Sequence, residues 1–343
     1  MDASVGRLDR KESVPAIGFL GAGAMGLPMV ARLHEAGRRV RPVDPSPERV
    51  AACRSLGVPA SPDPQTLVGC ATVVAMVSTG QQLLDVLRGK PFSDHRMAAT
   101  TLVVMSTVGP QAIRQVERLA AGVGTIVLDC PVTGGVSGAE AGTLTILAAG
   151  PSRALADVDG VLSELGTVHR VGDAVGRGQA FKLVNQMLTG IHIVAAAEAM
   201  SFAQALDLDL DTLLDILPEG SAASRMLVDR GPRIVQALTV AEQPVRTRLD
   251  TFRKDIELVT RAAAAAGHDA RLTAAAAEQW QRAVAMGLGS GDDTGVVATY
   301  VDGVPDAGRR GTAANGTSSP RHDARDVPVR VACCDQRTSH ENR

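Results

Sequence analysis

The chain has 343 residues, 45% of them apolar but only 2% aromatic, which is more than one compact domain usually holds and leaves Ala, Val, Leu and Gly to fill the core. Its 35 basic and 37 acidic residues give a formal net charge of −2, so no polybasic field exists for nucleic acid or an anionic membrane. Five cysteines with neither metal spacing nor an even framework read as reduced thiols of a cytoplasmic protein.

Residues 1–14 are mixed and charged, lack the apolar stretch of a signal peptide, and read as a disordered lead-in. Residues 16–20 form a short apolar strand that ends at Gly21, and residues 27–36 have helical spacing up to Gly37. A second strand covers 39–44, with Pro42 awkward inside it. A helix over 47–56 has Ser46 as N-cap and Pro47 at its first position. Strands over 72–77, 101–105, 125–129 and 143–148 follow, with helices over 81–87 and 110–121 among them. This alternation predicts a doubly wound parallel α/β sheet of Rossmann type, over residues 15–175. From 176 to 301 only helical patterns remain: 178–206, 209–217, 225–238, 248–266 and 272–286. An all-α C-terminal domain is therefore expected after the sheet. No apolar run reaches membrane-spanning length in this reading. Residues 302–343, rich in Gly, Ser, Pro, Arg and Asp, read as a disordered tail that includes Cys333 and Cys334.

The glycine run Gly21-Ala22-Gly23-Ala24-Met25-Gly26 fits the dinucleotide fingerprint, between a strand and a helix. Gly21 permits the turn, Gly23 lets backbone approach a pyrophosphate, and Gly26 allows close helix–strand packing, while the free N–H groups of Ala24, Met25 and Gly26 open the helix. Asp44 ends the second strand, where a carboxylate accepts from adenosine ribose hydroxyls and repels a 2′-phosphate. NAD is thus favoured over NADP, although a carboxylate after a strand also makes a good turn. Ser106 and Thr107 follow the fourth strand, placed either to reach the nicotinamide ribose or to cap the helix at Pro110. Thr133, Gly134 and Gly135 follow the fifth, as a carboxylate cradle or a plain glycine turn. Lys182 and Gln186 share one face at the start of the long helix. By spacing alone, Lys182 is an ordinary solvated helix lysine, and Lys254 with Asp255 an ordinary surface pair.

The fingerprint, Ser106-Thr107, the Asp129 to Gly135 run, Gly142-Thr143-Leu144-Thr145, Lys182 followed by Asn185, and Lys254-Asp255 occur in this order. Together they resemble the β-hydroxyacid dehydrogenase family, the group of 3-hydroxyisobutyrate dehydrogenase, over residues 15–300. The stretch from Phe181 through Met200, with Gln186, and the Asp292-Asp293 pair are similar to its L-threonate dehydrogenase branch. The resemblance implies Lys182 as catalytic acid/base, Thr107 and Lys254 against the cofactor, and Thr133, Gly134, Gly135 and Gln186 around the substrate. It departs at Thr133, where the family has serine, and at residues 222–225, where Ala222, Ala223, Ser224 and Arg225 replace a Gly-Asn-Ser-Trp-like stretch.

The expected activity is NAD-dependent oxidation of a small hydroxy acid, L-threonate or a similar sugar acid. The alternatives are 3-hydroxyisobutyrate or tartronate semialdehyde chemistry, imine reduction, and a nucleotide-binding interaction module without activity. The resemblance also implies a homodimer or homotetramer assembled through the all-α half; no metal, nucleic acid or membrane is expected as a partner.

Overall fold

The computed structural model describes residues 15–239 and 243–301. The lead-in and tail expectations, with Cys333 and Cys334, lie outside these residues. The first half is built from β1 (Ile17–Leu20), α1 (Gly26–Glu35), β2 (Val40–Val43), α2 (Pro47–Ser55), β3 (Thr72–Ala75), α3 (Gly80–Arg88), β4 (Thr101–Val104), α4 (Pro110–Gly122) and β5 (Ile126–Asp129). All five strands pair in parallel in the order β2-β1-β3-β4-β5. Their near-continuous burial follows from helices on both faces. Ile17 and Phe19 join one core with Met29, Val30 and Leu33 of α1. Leu20 faces the other, with Leu83 and Leu87 of α3 and Ile113 and Val116 of α4. Pro42 is tolerated because β2 is the terminal strand.

Beyond β5 come β6 (Val132–Thr133), α5 (Gly135–Ala141), β7 (Leu144–Ala149), α6 (Ser152–Leu162) and β8 (Gly166–Gly172). The strand expected over 143–148 is present as β7, but it runs antiparallel to β5 and β6. The seven-residue α5 returns the chain as a short reversal rather than a full crossover. β8 then pairs parallel to β7. The elements α5, α6, β6 and β8 were not among the expected ones.

The long helix, α7 (Arg177–Ala205), starts after Gly176 at φ +100° and runs for 29 residues. One window of α7 has mean hydropathy 1.2, enough to cross a membrane by length and composition alone, yet one face of this helix packs against the rest of the protein. It contacts β7, α9 (Arg225–Thr239), α10 (Leu249–Ala265) and α11 (Arg271–Ala285). α8 (Leu210–Ile216) touches it more lightly. The helical core centres on the fully buried Trp280, stacked on Phe252 at 5.4 Å between ring centroids. At Gly190 a Cβ would lie 2.3 Å from Ile256 Cδ1, so this glycine sets how closely α7 and α10 approach. A 3₁₀ helix (Asp293–Thr299) closes the described chain, tied down by Asp292 and Asp293 to Arg233 and Arg230 of α9. Burial pushes the Asp293 carboxyl up to about 6 against the pull of these guanidinium groups. The acidic pair that resembles the threonate branch is thus a clip between α9 and the 3₁₀ helix.

Candidate active site

Because β1, β3, β4 and β5 are parallel, their carboxyl ends and following loops collect on one edge, where open α/β sheets bind ligands. The β1 loop has the backbone that a dinucleotide needs. Gly21 sits at φ +91°, and a Cβ there would meet the Met76 carbonyl oxygen at 2.4 Å. A Cβ on Gly26 would lie 1.9 Å from the Gly21 oxygen, inside contact distance. At Gly23 the nearest atoms to such a Cβ are 3.7 Å away, so its backbone is open to approach. Met25 is the α1 N-cap and offers no side-chain cap, leaving the first N–H groups for a phosphate. Asp44 is buried at the tip of β2, its Oδ2 accepting from Ala22 N–H at 2.8 Å and its Oδ1 from Ser46 N–H at 2.9 Å. The carboxylate is therefore fixed against the glycine loop, and the residues fit a nicotinamide dinucleotide.

The β4 loop is used differently from either sequence reading of Ser106. Its Oγ accepts from Val77 N–H at 2.7 Å and donates to the Ala75 carbonyl, tying the ends of β3 and β4 together. Gly109, not a hydroxyl residue, is the N-cap of α4. Thr107 is half-buried, and its carbonyl accepts from Lys254 Nζ at 3.2 Å. Lys254 Nζ also donates to the Ser78 carbonyl at 3.1 Å. A side chain of α10 thus spans the loops after β3 and β4 and joins the helical half to the sheet edge. In the β5 loop, Thr133 is half-buried and paired with Thr145, while Gly134 and Gly135 are exposed at φ +128° and +66°. They open α5 with no side-chain cap on its N–H groups.

Two residues outside the expected set anchor α7 to this edge. Asp129, fully buried at the end of β5, accepts from Gly176 N–H, Gln179 N–H and Gln179 Nε2 at 2.8–3.0 Å. Gln179 Oε1 in turn accepts from Val108 and Gly109 N–H at 2.8 and 2.9 Å. Burial is the main influence on Asp129 and raises its pKa, opposed by the hydrogen bonds from Gln179 and Gly176. At Gly178 a Cβ would lie 2.6 Å from the Asp129 and Leu147 carbonyl oxygens, so the helix starts in direct contact with the strands. Lys182 follows one turn later on the same face.

Lys182 is only 6% exposed. Burial, reinforced by Lys254 and opposed by Asp255, lowers its ammonium from 10.5 to about 8. Asp255 is the member of the Lys254-Asp255 pair that spacing read as surface; in the structure it is 4% exposed. Its Oδ1 lies 3.1 Å from Lys254 Nζ, and its Oδ2 accepts from Gln186 Nε2 at 2.6 Å. Gln186 Oε1 accepts from Asn185. The structure therefore brings Lys182, Gln186, Lys254 and Asp255 together at the junction of α7 and α10. A lysine with this environment can release and regain a proton near neutral pH. The spacing of Gln179, Lys182 and Gln186 on one helical face was the sequence signal for Gln179. Nothing local marks Asp255 as buried. Residues 221–223 are exposed, Ser224 Oγ accepts from Leu227 N–H at the head of α9, and Arg225 is exposed.

Residues 16–176 match the family model described as the NAD binding domain of 6-phosphogluconate dehydrogenase. Residues 176–300 match that of the NAD-binding region of NADP-dependent 3-hydroxyisobutyrate dehydrogenase. The L-threonate dehydrogenase of Cupriavidus necator is 33% identical over 287 residues, 83% of this chain and 95% of that protein. The 3-hydroxyisobutyrate dehydrogenase of Pseudomonas aeruginosa is 35% identical over 61% of this chain and 70% of its own length. A crystal structure of 3-hydroxyisobutyrate dehydrogenase from Salmonella typhimurium superposes with a TM-score of 0.76 at 27% identity, covering 83% of this chain and 99% of that one. A glycine loop shaped for a nicotinamide cofactor, a buried lysine near the start of α7 and relatives matched along most of their length lead to one assignment: the chain belongs to the β-hydroxyacid dehydrogenase family, enzymes that act on CH–OH donors.

Proposed function

We propose that the protein oxidises a small polyhydroxylated acid, with L-threonate as the first candidate, to the oxo acid, and that Lys182 takes the hydroxyl proton. The observation that carries this reading is the buried Lys182, brought to about 8 at the sheet edge. When bound, the nicotinamide cofactor supplies the hydride acceptor. Gly21, Gly23, Ala24, Met25 and Gly26 would hold its phosphates and Asp44 its adenosine ribose, which favours NAD over NADP. Lys254 and Thr107 stand on the nicotinamide side of the loops. The neutral amine of Lys182 accepts the substrate hydroxyl proton as the carbonyl forms, and in the reverse direction the ammonium returns it to the carbonyl oxygen. Thr133 and the N–H groups beside Gly134 and Gly135 would hold the carboxylate. Gln186 keeps one amide N–H for substrate while the other holds Asp255.

The relative from Cupriavidus necator supports threonate as the starting point. The test is NADH formation across threonate, erythronate, 3-hydroxyisobutyrate, glycerate and tartronate, with Lys182→Ala beside the wild type. Turnover of threonate lost in the variant supports the reading. Preference for 3-hydroxyisobutyrate would move the specificity to the sister branch. Silence on every acid with intact dinucleotide binding would favour a binding module without turnover.

Phe181, Val184, Leu188, Phe202 and Leu206 lie exposed along α7. The spacing of three and four residues from Phe181 through Val184 to Leu188 makes an apolar stripe, with Phe202 and the C-cap Leu206 at the far end of the helix, and we infer that a second copy of the chain covers it in a homodimer. Light scattering on Leu188→Glu, Val184→Glu against the wild type checks this; an unchanged mass would overturn it.

A further inference from the structure

The outer face of α7 has the same spacing read from either end. Its stripe passes through Val184, Leu188, the half-buried Ile191, Ala195, Ala199, Phe202 and Leu206, all but Ile191 exposed. The steps are four, three, four, four, three and four residues, a palindrome centred on Ala195. At about 100° per residue these side chains stay within about 40° of one line along the helix, over a length of roughly 33 Å. Lys182 and Gln186 are buried on the opposite side. Large side chains stand at both ends of the stripe, and the small Ala195 and Ala199 at its middle let another helix approach closely.

A two-fold dimer needs a surface on which residue i meets j while j meets i. Two antiparallel copies of α7 crossing at Ala195 meet that condition, with Leu188 of each copy against Phe202 of the other and Val184 against Leu206. Parallel copies would match the apolar side chains too, each against its own equivalent, so the charges at the two ends decide the direction. At the start of the helix Arg177 continues the stripe, its guanidinium over the Phe181 ring at 5.8 Å from the centroid. Arg114 is close by, since a Cβ built on Gly176 would lie 3.3 Å from its Nη1. Asp173, the acid at this end, is engaged by Ser152 Oγ at 3.2 Å. Beyond the other end, residues 206–219 carry Asp207, Asp209, Asp211, Asp215 and Glu219 and no basic residue. Parallel copies would set like charges together at both ends. Antiparallel copies set the arginines of one against the carboxylates of the other, and the helix dipoles favour the same direction.

We propose that two copies of α7 pack antiparallel about a two-fold axis at Ala195, which brings the acidic segment after Leu206 of each copy to the Arg177–Phe181 end of the other, next to the turn that carries Lys182. This rests on the reading that a second copy covers the stripe. Cysteine pairing tests it in a Cys333→Ser, Cys334→Ser background, where Cys53, Cys70 and Cys130 are buried. Ala195→Cys should form a covalent dimer on mild oxidation, because the two thiols face each other across the axis. Leu188→Cys and Phe202→Cys should each stay unlinked alone but link when combined in one chain. Within a chain these positions are about 21 Å apart, too far for a disulfide. Arg177→Glu should weaken the dimer about fivefold or more by sedimentation, with the wild-type Kd rising with salt. If the wild type is a monomer, the homodimer reading falls and takes the proposal with it. If it is a dimer in which Ala195→Cys stays unlinked, or Leu188→Cys links to itself, the antiparallel register falls and the homodimer reading stands. An unchanged dimer Kd in Arg177→Glu would overturn the charge pairing.

Discussion

Two aspartate–glutamine pairs lie along one face of α7, and Lys182 sits between them. In the first, Asp129 and Gln179 are surrounded by backbone amides, and their hydrogen bonds join the end of β5, the β4 loop and the start of α7. In the second, Asp255 takes one hydrogen bond from Gln186, faces the ammonium of Lys254, and acts on Lys182 through space. The side chains are the same and both carboxylates are buried. The difference is the charge of the partners. Neutral donors that saturate a buried carboxylate fix geometry, whereas cations beside one set the proton affinity of their neighbours.

The largest effect is expected between the pairs. Lys182→Met should lower turnover by about 10²–10⁴-fold, the range for removing a positioned proton acceptor, while dinucleotide binding is retained. Lys182→Arg should be nearly as poor, because a guanidinium does not release its proton. The same substitution should move stability the other way. Folding lowers the lysine from 10.5 to about 8, so between these values the unfolded chain binds more protons and stability rises with pH. At pH 7 that shift costs on the order of 3 kcal/mol, and Lys182→Met should relieve it. Denaturant melts should find the variant more stable than wild type near neutrality, with the gap closing above pH ~10.5. A gap that does not depend on pH would remove Lys182 from the chemistry assigned to it.

Next come changes to the first pair, which should break the fold more than the chemistry. Asp129→Ala strands three buried N–H donors, worth about 3 kcal/mol or more of stability together. Gly178→Ala forces a Cβ to 2.6 Å from two carbonyl oxygens and should cost roughly 2 kcal/mol or more by pushing α7 off the strand ends. Thermal melts read both effects. A pH–rate limb that stays where the wild type has it, with lower stability, marks Asp129 as scaffold. A displaced limb would erase the distinction between the two pairs.

Sequence alone carried the first half of the sheet because its parallel strands are buried on both faces and stand out as apolar runs between glycines. The sense of β7 was not legible, since an apolar hexamer reads the same in either direction. β8 was missed for a different reason: Thr167, His169 and Arg170 are exposed on an edge strand, so no buried pattern exists to find. α6 did carry a helical pattern, at Ala154, Leu155, Val158, Val161 and Leu162. At the site, the glycine fingerprint and Lys182 were visible because they recur as a motif. Asp255 was not, because its burial is decided where α10 meets α7 at Gly190 and Ile256, a contact between residues far apart in sequence.

The smallest effects test the second pair most sharply. Asp255 raises the proton affinity of Lys182 and Lys254 lowers it, so neutralising each should move the acid limb of kcat/KM for hydroxy-acid oxidation in opposite directions. Asp255→Asn keeps a group that can accept from Gln186 and should shift the limb to lower pH; Lys254→Met should shift it to higher pH, each by about one unit or less in a partly screened junction. Rates alone would mislead, because Lys254 also bridges the Ser78 and Thr107 carbonyls and its loss will raise KM as well. The limb position separates the two roles, since a strut removed without an electrostatic consequence leaves the profile in place and only lowers its height. Limbs that move in the same direction, or not at all, would make Asp255 and Gln186 a second scaffold and leave burial as the sole cause of the proton affinity of Lys182.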